Sequence, residues 1–134
     1  MTASPAQLLQ TWALRLTPQN VPGPILDVAC GNGRNGIFLA KMGLPVICCD
    51  ISRASLRQAR AMALRSNARI RLWWTDLEAD TRTPLPLNVF GAVLVFRYLH
   101  RPLIPEIRAA VRPGGFVIYE TFTQDQARFG PPRN

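Results

Sequence analysis

The chain has 134 residues, 48% apolar and 18% charged, which suits one globular domain with a single core and leaves no room for a second. Its 8% aromatics and its Gly 9 and Pro 12 exclude disordered and collagen-like chains, and no apolar run nears the roughly 20 residues that span a bilayer. Sixteen basic residues against eight acidic ones give +8, a field that draws phosphates, RNA or an anionic substrate.

Ser4-Pro5 reads as an N-cap with proline at the first helical position, opening a helix to about Leu16 with Leu8, Trp12 and Leu16 on one face. Pro22-Gly23-Pro24 delivers a short strand, Ile25 to Val28, and a glycine-rich turn leads into a helix from about Arg34 to Met42, with Gly43 as its C-cap. A second strand, Val46 to Cys49, ends in Asp50. Ser52 then caps a long helix that carries Leu56, Ala59, Ala63 and Leu64 inward. Arg53, Arg57 and Arg60 share a stripe on that helix, read either as a solvated face or as an RNA-contacting one. A third strand spans about Arg69 to Trp74, and Phe90 to Phe96 is apolar on both faces, as a buried parallel strand requires. A helix at about Ile104 to Val111, a turn at Arg112-Pro113-Gly114-Gly115 and a fifth strand from Phe116 to Phe122 follow.

Strands alternating with helices predict a doubly wound α/β domain with a parallel sheet, whose ligands bind at the carboxyl ends of the strands. At the end of the first strand, Gly31, Gly33 and Gly36 spell G-x-G-x-x-G, a pattern whose free amides receive an anion and which alone suggests a dinucleotide site. Asp27 argues otherwise, because an acid there suits a positively charged ligand. Cys30, Cys48 and Cys49 form no CxxC pair, so neither a disulfide framework nor a metal site is expected. Cys30 reads as a small buried residue.

The stretch Ile25-Leu26-Asp27-Val28-Ala29-Cys30-Gly31-Asn32-Gly33 resembles the first motif of the class I S-adenosylmethionine-dependent methyltransferases, with Ala29 in place of the family's first glycine. The likeness continues at matching spacing. It implies a Rossmann-like sheet of order 3-2-1-4-5 and S-adenosylmethionine as cofactor. It also implies a cofactor site of Asp27, Ala29, Gly31, Asn32, Gly33, Arg34, Asp50, Ile51, Asp76, Leu77 and Phe96. In that family the acid at Asp50 accepts from both ribose hydroxyls, the residue at Ile51 covers adenine, and the Asp76-Leu77 pair reads adenine's amino group and a ring nitrogen. Arg112-Pro113-Gly114-Gly115 looks like the family's turn before strand five. Cys30 to Asn35 is similar to the tellurite-resistance branch of small methyltransferases, where an arginine after the loop pairs with the cofactor's carboxylate; that role falls on Arg34. The rival readings are a helix-capping acid for Asp50 and a turn acid for Asp76.

With such a cofactor the protein needs only to align an acceptor in line with the S-methyl bond and, where the acceptor carries a proton, to supply a base. His100, the sole histidine, and Tyr98 are the candidates, both past the fourth strand; Arg97 and Arg101 suit an anionic acceptor. A small-molecule acceptor is expected, and no Asn-Pro-Pro-Tyr-like stretch follows strand four. Compared with the family, the chain is expected to be one domain, residues 1–134, incomplete at its C-terminus and lacking the last two strands. Strand five would then be an apolar edge open to self-association. The alternatives are a nicotinamide-dependent oxidoreductase, which Asp27 and Asp76-Leu77 speak against, and a non-catalytic partner or RNA-binding module. With no leader and no membrane-spanning run, the chain reads as soluble and cytoplasmic, without membrane contact.

Overall fold

A computed structural model describes residues 4–121. Its strands are β1 (Ile25–Val28), β2 (Val46–Asp50), β3 (Arg71–Trp74), β4 (Phe90–Phe96) and β5 (Val111–Glu120). They form one parallel sheet, as the alternation of elements predicts, in the order β3-β2-β1-β4-β5 that the family resemblance implies. The helices are α1 (Gln7–Trp12, prolonged by a 3-10 turn at Ala13–Arg15), α2 (Arg34–Ala40), α3 (Arg53–Arg65) and α4 (Ile104–Ala110), the last entered through a 3-10 turn at Arg101–Leu103.

Strand alternation divides the core between the two faces of the sheet. Ile25, paired with Val46 and Ala92, points to the face that also buries Leu9, Leu16, Leu39, Cys48 and Leu94. Leu26 and Val28 point to the other face, with Cys49, Val93, Val95, Leu103 and Ile107. β1 and β4 are buried at every position, which is why they read as continuous apolar runs. Asp27 is the exception within β1, an acid 2% exposed.

Several local expectations shift. The first helix starts at Gln7 with Ala6 as its N-cap and no side-chain cap; Ala6 N–H donates to Asn35 Oδ1 at 2.7 Å, so a tertiary contact replaces the expected Ser4 cap. Leu9 takes the buried place on that helix, while Leu8 and Trp12 are half-buried. Leu64 is 71% exposed and Met62 is buried instead. At 3.6 residues per turn, Leu64 lies about 130° from the centre of the face defined by Leu56, Ala59, Met62 and Ala63. Arg112 to Gly115 do not precede the last strand but bulge within it, since β5 pairs Val111 with Phe90 and Phe116 with Ala92. The expected end of that strand, Phe122, lies outside the described residues. α2 stops at Ala40, two residues early, and Gly43 at φ +90 takes the left-handed position after it.

From β1 the chain moves outward to β2 and β3, then crosses back to β4 on the other side of β1. The sheet's switch in direction therefore lies between β1 and β4, and a crevice opens at their carboxyl ends.

Candidate functional site

The loop from Ala29 to Gly33 turns the chain from β1 into α2 through left-handed backbone. Ala29, Gly31 and Gly33 sit at φ 52, 58 and 81. Ala29 holds this conformation at a cost of roughly 1 kcal/mol, which a glycine would avoid. The glycines differ in purpose. A Cβ on Gly33 would lie 2.9 Å from Ala59 Cβ, and one on Gly36 2.8 Å from Cys48 Sγ, so both allow close packing of α2. A Cβ on Gly31 would meet nothing within 4 Å, so that glycine borders open space at the crevice.

Two acids organise the loop. Asp27 Oδ2 accepts the Gly36 N–H at 3.1 Å, tying the end of β1 to the first turn of α2. Burial pushes its carboxyl up to about 7; the Gly36 bond pulls it down, nearby Asp50 pushes it up and Arg34 pulls it down, in decreasing order. Asp50, ending β2, accepts the Gly31 N–H through Oδ2 at 2.9 Å and the Ser52 N–H through Oδ1 at 2.8 Å. It is not the cap of α3, because Ser52 Oγ accepts the Ser55 N–H. Each Asp50 oxygen keeps a lone-pair direction for a further donor.

A cleft of about 400 Å³ is lined by Ala29, Asp50, Ile51, Asp76, Leu77, Glu78 and Tyr98, among others. Ile51 is 57% exposed beside it, and Leu77 is buried. Asp76 makes the expected turn bond, its Oδ1 accepting the Glu78 N–H at 3.0 Å, and lines the cleft as well. On the far side of Ala29 a smaller hollow of about 240 Å³ is lined by Asp27, Gly31, Asn32, Arg34, Asn35, Phe96 and Arg97. Asn32 Oδ1 accepts the Arg34 N–H and steadies the start of α2. The Arg34 guanidinium donates to the Ser4 carbonyl at 3.1 Å, which places it at the rim of this hollow. Gly33 alone of the expected cofactor residues lines neither space; its place is under α3.

The two candidate transfer residues are brought together by one the sequence did not single out. Glu78 Oε2 accepts from the Tyr98 hydroxyl at 2.9 Å, and its Oε1 lies 3.7 Å from His100 Nδ1. Burial first, and then the Glu78 bond, push the Tyr98 phenol above its ordinary range, so it stays a neutral donor. A second unforeseen pair lies behind the cleft. Arg82 and Glu106 form a two-pronged bond at 2.7 and 2.6 Å, while Arg82 Nε–H donates to the Leu77 carbonyl at 2.7 Å and Glu106 accepts the Leu85 N–H at 2.5 Å. Arg82 holds the Glu106 carboxyl below its usual range. The pair fixes the loop bearing Asp76 and Leu77. No sequence signal marks it, because its halves stand 24 residues apart on a loop and a helix.

Cys48 and Cys49 are buried, whereas Cys30, expected to be buried, is half-buried at the lip of the loop. Burial raises the Cys49 thiol to about 12, and Cys48 is raised too, first by its bond with Cys30. Among the described residues no cluster of three or more His, Cys, Asp or Glu is placed to hold a metal, and no helix is long and apolar enough to cross a membrane.

Comparison with known proteins gives this arrangement a context. A family profile described as a methyltransferase domain matches residues 25–115. Hemagglutinin 1 of Eikenella corrodens is 34% identical over 109 residues, covering 78% of this chain and 36% of that protein. The ribosomal protein L11 methyltransferase of Thermus thermophilus is 32% identical over 105 residues, covering 77% of this chain and 40% of that protein. The chain thus spans well under half the length of these curated relatives. The crystal structure of an S-adenosylmethionine dependent methyltransferase from Mesorhizobium loti superposes with a TM-score of 0.61 at 27% identity, over 81% of this chain and 51% of that one.

Proposed function

This chain belongs to the S-adenosylmethionine-dependent methyltransferase family, and on that premise we propose that it transfers the cofactor's methyl group to a small-molecule acceptor brought to the β4 side of the crevice. The observation that carries the reading is the placing of three acids, Asp27, Asp50 and Asp76, around one glycine loop at the ends of β1 and β2 and just past β3. The residues suit the cofactor's chemistry. A buried carboxyl at Asp27 matches an ammonium group, the free lone pairs of Asp50 match a pair of hydroxyls, and the Asp76-Leu77 turn offers an acceptor beside a backbone amide for a purine edge. Bound there, S-adenosylmethionine supplies an activated methyl group on a sulfonium, so the protein has no covalent step of its own to perform.

The chain's own groups then bind, orient and take a proton. Asn32 and the Gly31 amide fix the loop, Arg34 at the rim of the smaller hollow meets a carboxylate, and Ile51 and Leu77 cover apolar ring surface. Phe96 walls the hollow at the end of β4. His100 accepts the acceptor's proton, and Tyr98, whose own proton is held by Glu78, orients the acceptor by accepting from it through its phenol oxygen. The likeness of Cys30 to Asn35 to a branch of small methyltransferases favours a small acceptor over a macromolecular one.

Calorimetric titration of the full chain with S-adenosylhomocysteine tests the reading, run beside NAD and beside Asp50→Ala. Saturable binding of the adenosyl ligand, absent for NAD and weakened at least tenfold by the substitution, is expected. Equal binding of NAD, or an Asp50→Ala affinity unchanged in a folded chain, refutes the assignment.

A further inference from the structure

Residues 51–75 contain six arginines, Arg53, Arg57, Arg60, Arg65, Arg69 and Arg71, and no acid, so this one segment holds six of the eight net positive charges. All six are exposed. Among the described residues none of the six stands in an ion pair with an acid. Arg53, Arg57 and Arg60 follow i, i+4, i+7 spacing and stand on one flank of α3 over about 10 Å of helix. At the head of this stripe Arg53 lies on Trp74, with Cζ 4.6 Å from the ring centroid. Trp74 Nε1–H donates to the Ile51 carbonyl at 2.7 Å. An indole 45% exposed is thereby held fixed on the outer edge strand of the sheet, and Leu72, on the same face of that strand, is exposed too.

Part of this arrangement has a purely structural account. An amphipathic helix puts its charges opposite the core, and arginine on an edge strand discourages pairing with another chain. Neither effect requires that every charge be positive, since soluble surfaces ordinarily mix signs. Neither explains a large aromatic ring left exposed and immobilised beside a guanidinium. Unpaired arginines in a row serve phosphates, and a fixed exposed ring serves a base that is free to unstack. We infer that the α3 flank and the β3 edge form a docking surface for single-stranded RNA, with Arg53, Arg57 and Arg60 on phosphates and Trp74 as a stacking platform. A duplex would use the arginines but not the ring. The surface lies on the outer side of the β3 edge, whereas His100 and Tyr98 follow β4 on the other side of β1.

Fluorescence anisotropy with a labelled single-stranded RNA of about 20 nucleotides, measured on the full chain across a salt series, tests this. Saturable binding is expected, with log K falling linearly against log salt. Replacing Arg53, Arg57 and Arg60 together by Gln makes that slope shallower by about 2, as three phosphates at roughly 0.7 each require. Trp74→Ala weakens binding about tenfold and leaves the slope unchanged. Arg108→Gln, an exposed arginine on α4, changes neither. Thermal unfolding of each variant establishes that it is folded. Absence of saturable binding overturns the proposal, as does an equal loss in Arg108→Gln. So does equal affinity for a blunt duplex of the same length that ignores Trp74, or tighter binding to anionic phospholipid vesicles than to the RNA.

Discussion

Asp27 stores instability that varies with pH, and its removal should be visible in unfolding. Its carboxyl titrates near 3.8 in an unfolded chain and at about 7 in the fold, chiefly because burial disfavours the anion. The folded state therefore keeps its proton longer. Below 3.8 both states are protonated and the group contributes no pH dependence; from 3.8 to about 7 the folded state binds more protons, so stability falls as pH rises. Above about 7 the loss is complete, and at 1.36 kcal/mol per pH unit it amounts to roughly 4 kcal/mol. Asp27→Asn keeps an oxygen for the Gly36 N–H and cannot ionise, at a cost of about 1–3 kcal/mol if the new amide N–H finds no acceptor. Urea unfolding of both proteins at about pH 4, 6 and 8 should show the variant gaining on the wild type by roughly 2–4 kcal/mol from the lowest to the highest pH. A stability difference constant to within about 0.5 kcal/mol across that range refutes the reasoning, whatever its sign. The same substitution should weaken S-adenosylhomocysteine at least tenfold, because the ammonium loses its carboxylate. Wild-type affinity should rise with pH through about 7 as Asp27 ionises, whereas the variant's should not follow that curve.

Glu106→Gln breaks the two-pronged bond to Arg82 and should cost about 1–3 kcal/mol in urea unfolding. Because Arg82 holds the Glu106 carboxyl below 4.5, the stability this pair contributes is present above 4.5 and lost as pH falls through the lower folded value; that acid-side loss should be missing in the variant. Gly36→Ala puts a Cβ 2.8 Å from Cys48 Sγ and 3.1 Å from Asp27 Oδ2, and a lowered urea midpoint worth about 1–3 kcal/mol is expected. Ala29→Gly relieves left-handed backbone at φ 52 but frees the unfolded chain, so a net gain of only about 0.5 kcal/mol should appear as a slightly raised thermal midpoint. Glu78→Ala should shift the neutral tautomer of His100, read without overlap by nitrogen-detected NMR because the chain has a single histidine.

Local chemistry made much of the fold legible. β1 and β4 announced themselves because a strand buried on both faces must be apolar throughout, and the glycine turn after β1 because left-handed backbone and close helix packing admit little else. The same residues marked Asp27 and Asp50 as out of place in an apolar strand. Where the sequence misled, the reasons differ: a distant contact overruled a local preference when Asn35 took over the capping of α1 from Ser4, and helical phase put Leu64 about 130° from a buried face centred near Ala59.

Spacing and pattern alone thus determined a doubly wound parallel sheet and the edge where a ligand sits, since these follow from periodicity and the handedness of the crossovers, while the order of the strands came from the likeness to the methyltransferase family. Only the tertiary structure decided that the Asp50 carboxylate holds the loop through the Gly31 amide, that Glu78 joins Tyr98 to His100, that Arg82 and Glu106 brace the Asp76 turn, and that Arg53 lies on Trp74 at the end of an acid-free flank. Each of these depends on side chains that lie far apart along the chain or on different elements and meet only when the sheet is assembled. Hydrogen bonds and charge pairs act over a few ångströms of space, and one-dimensional pattern does not record that distance.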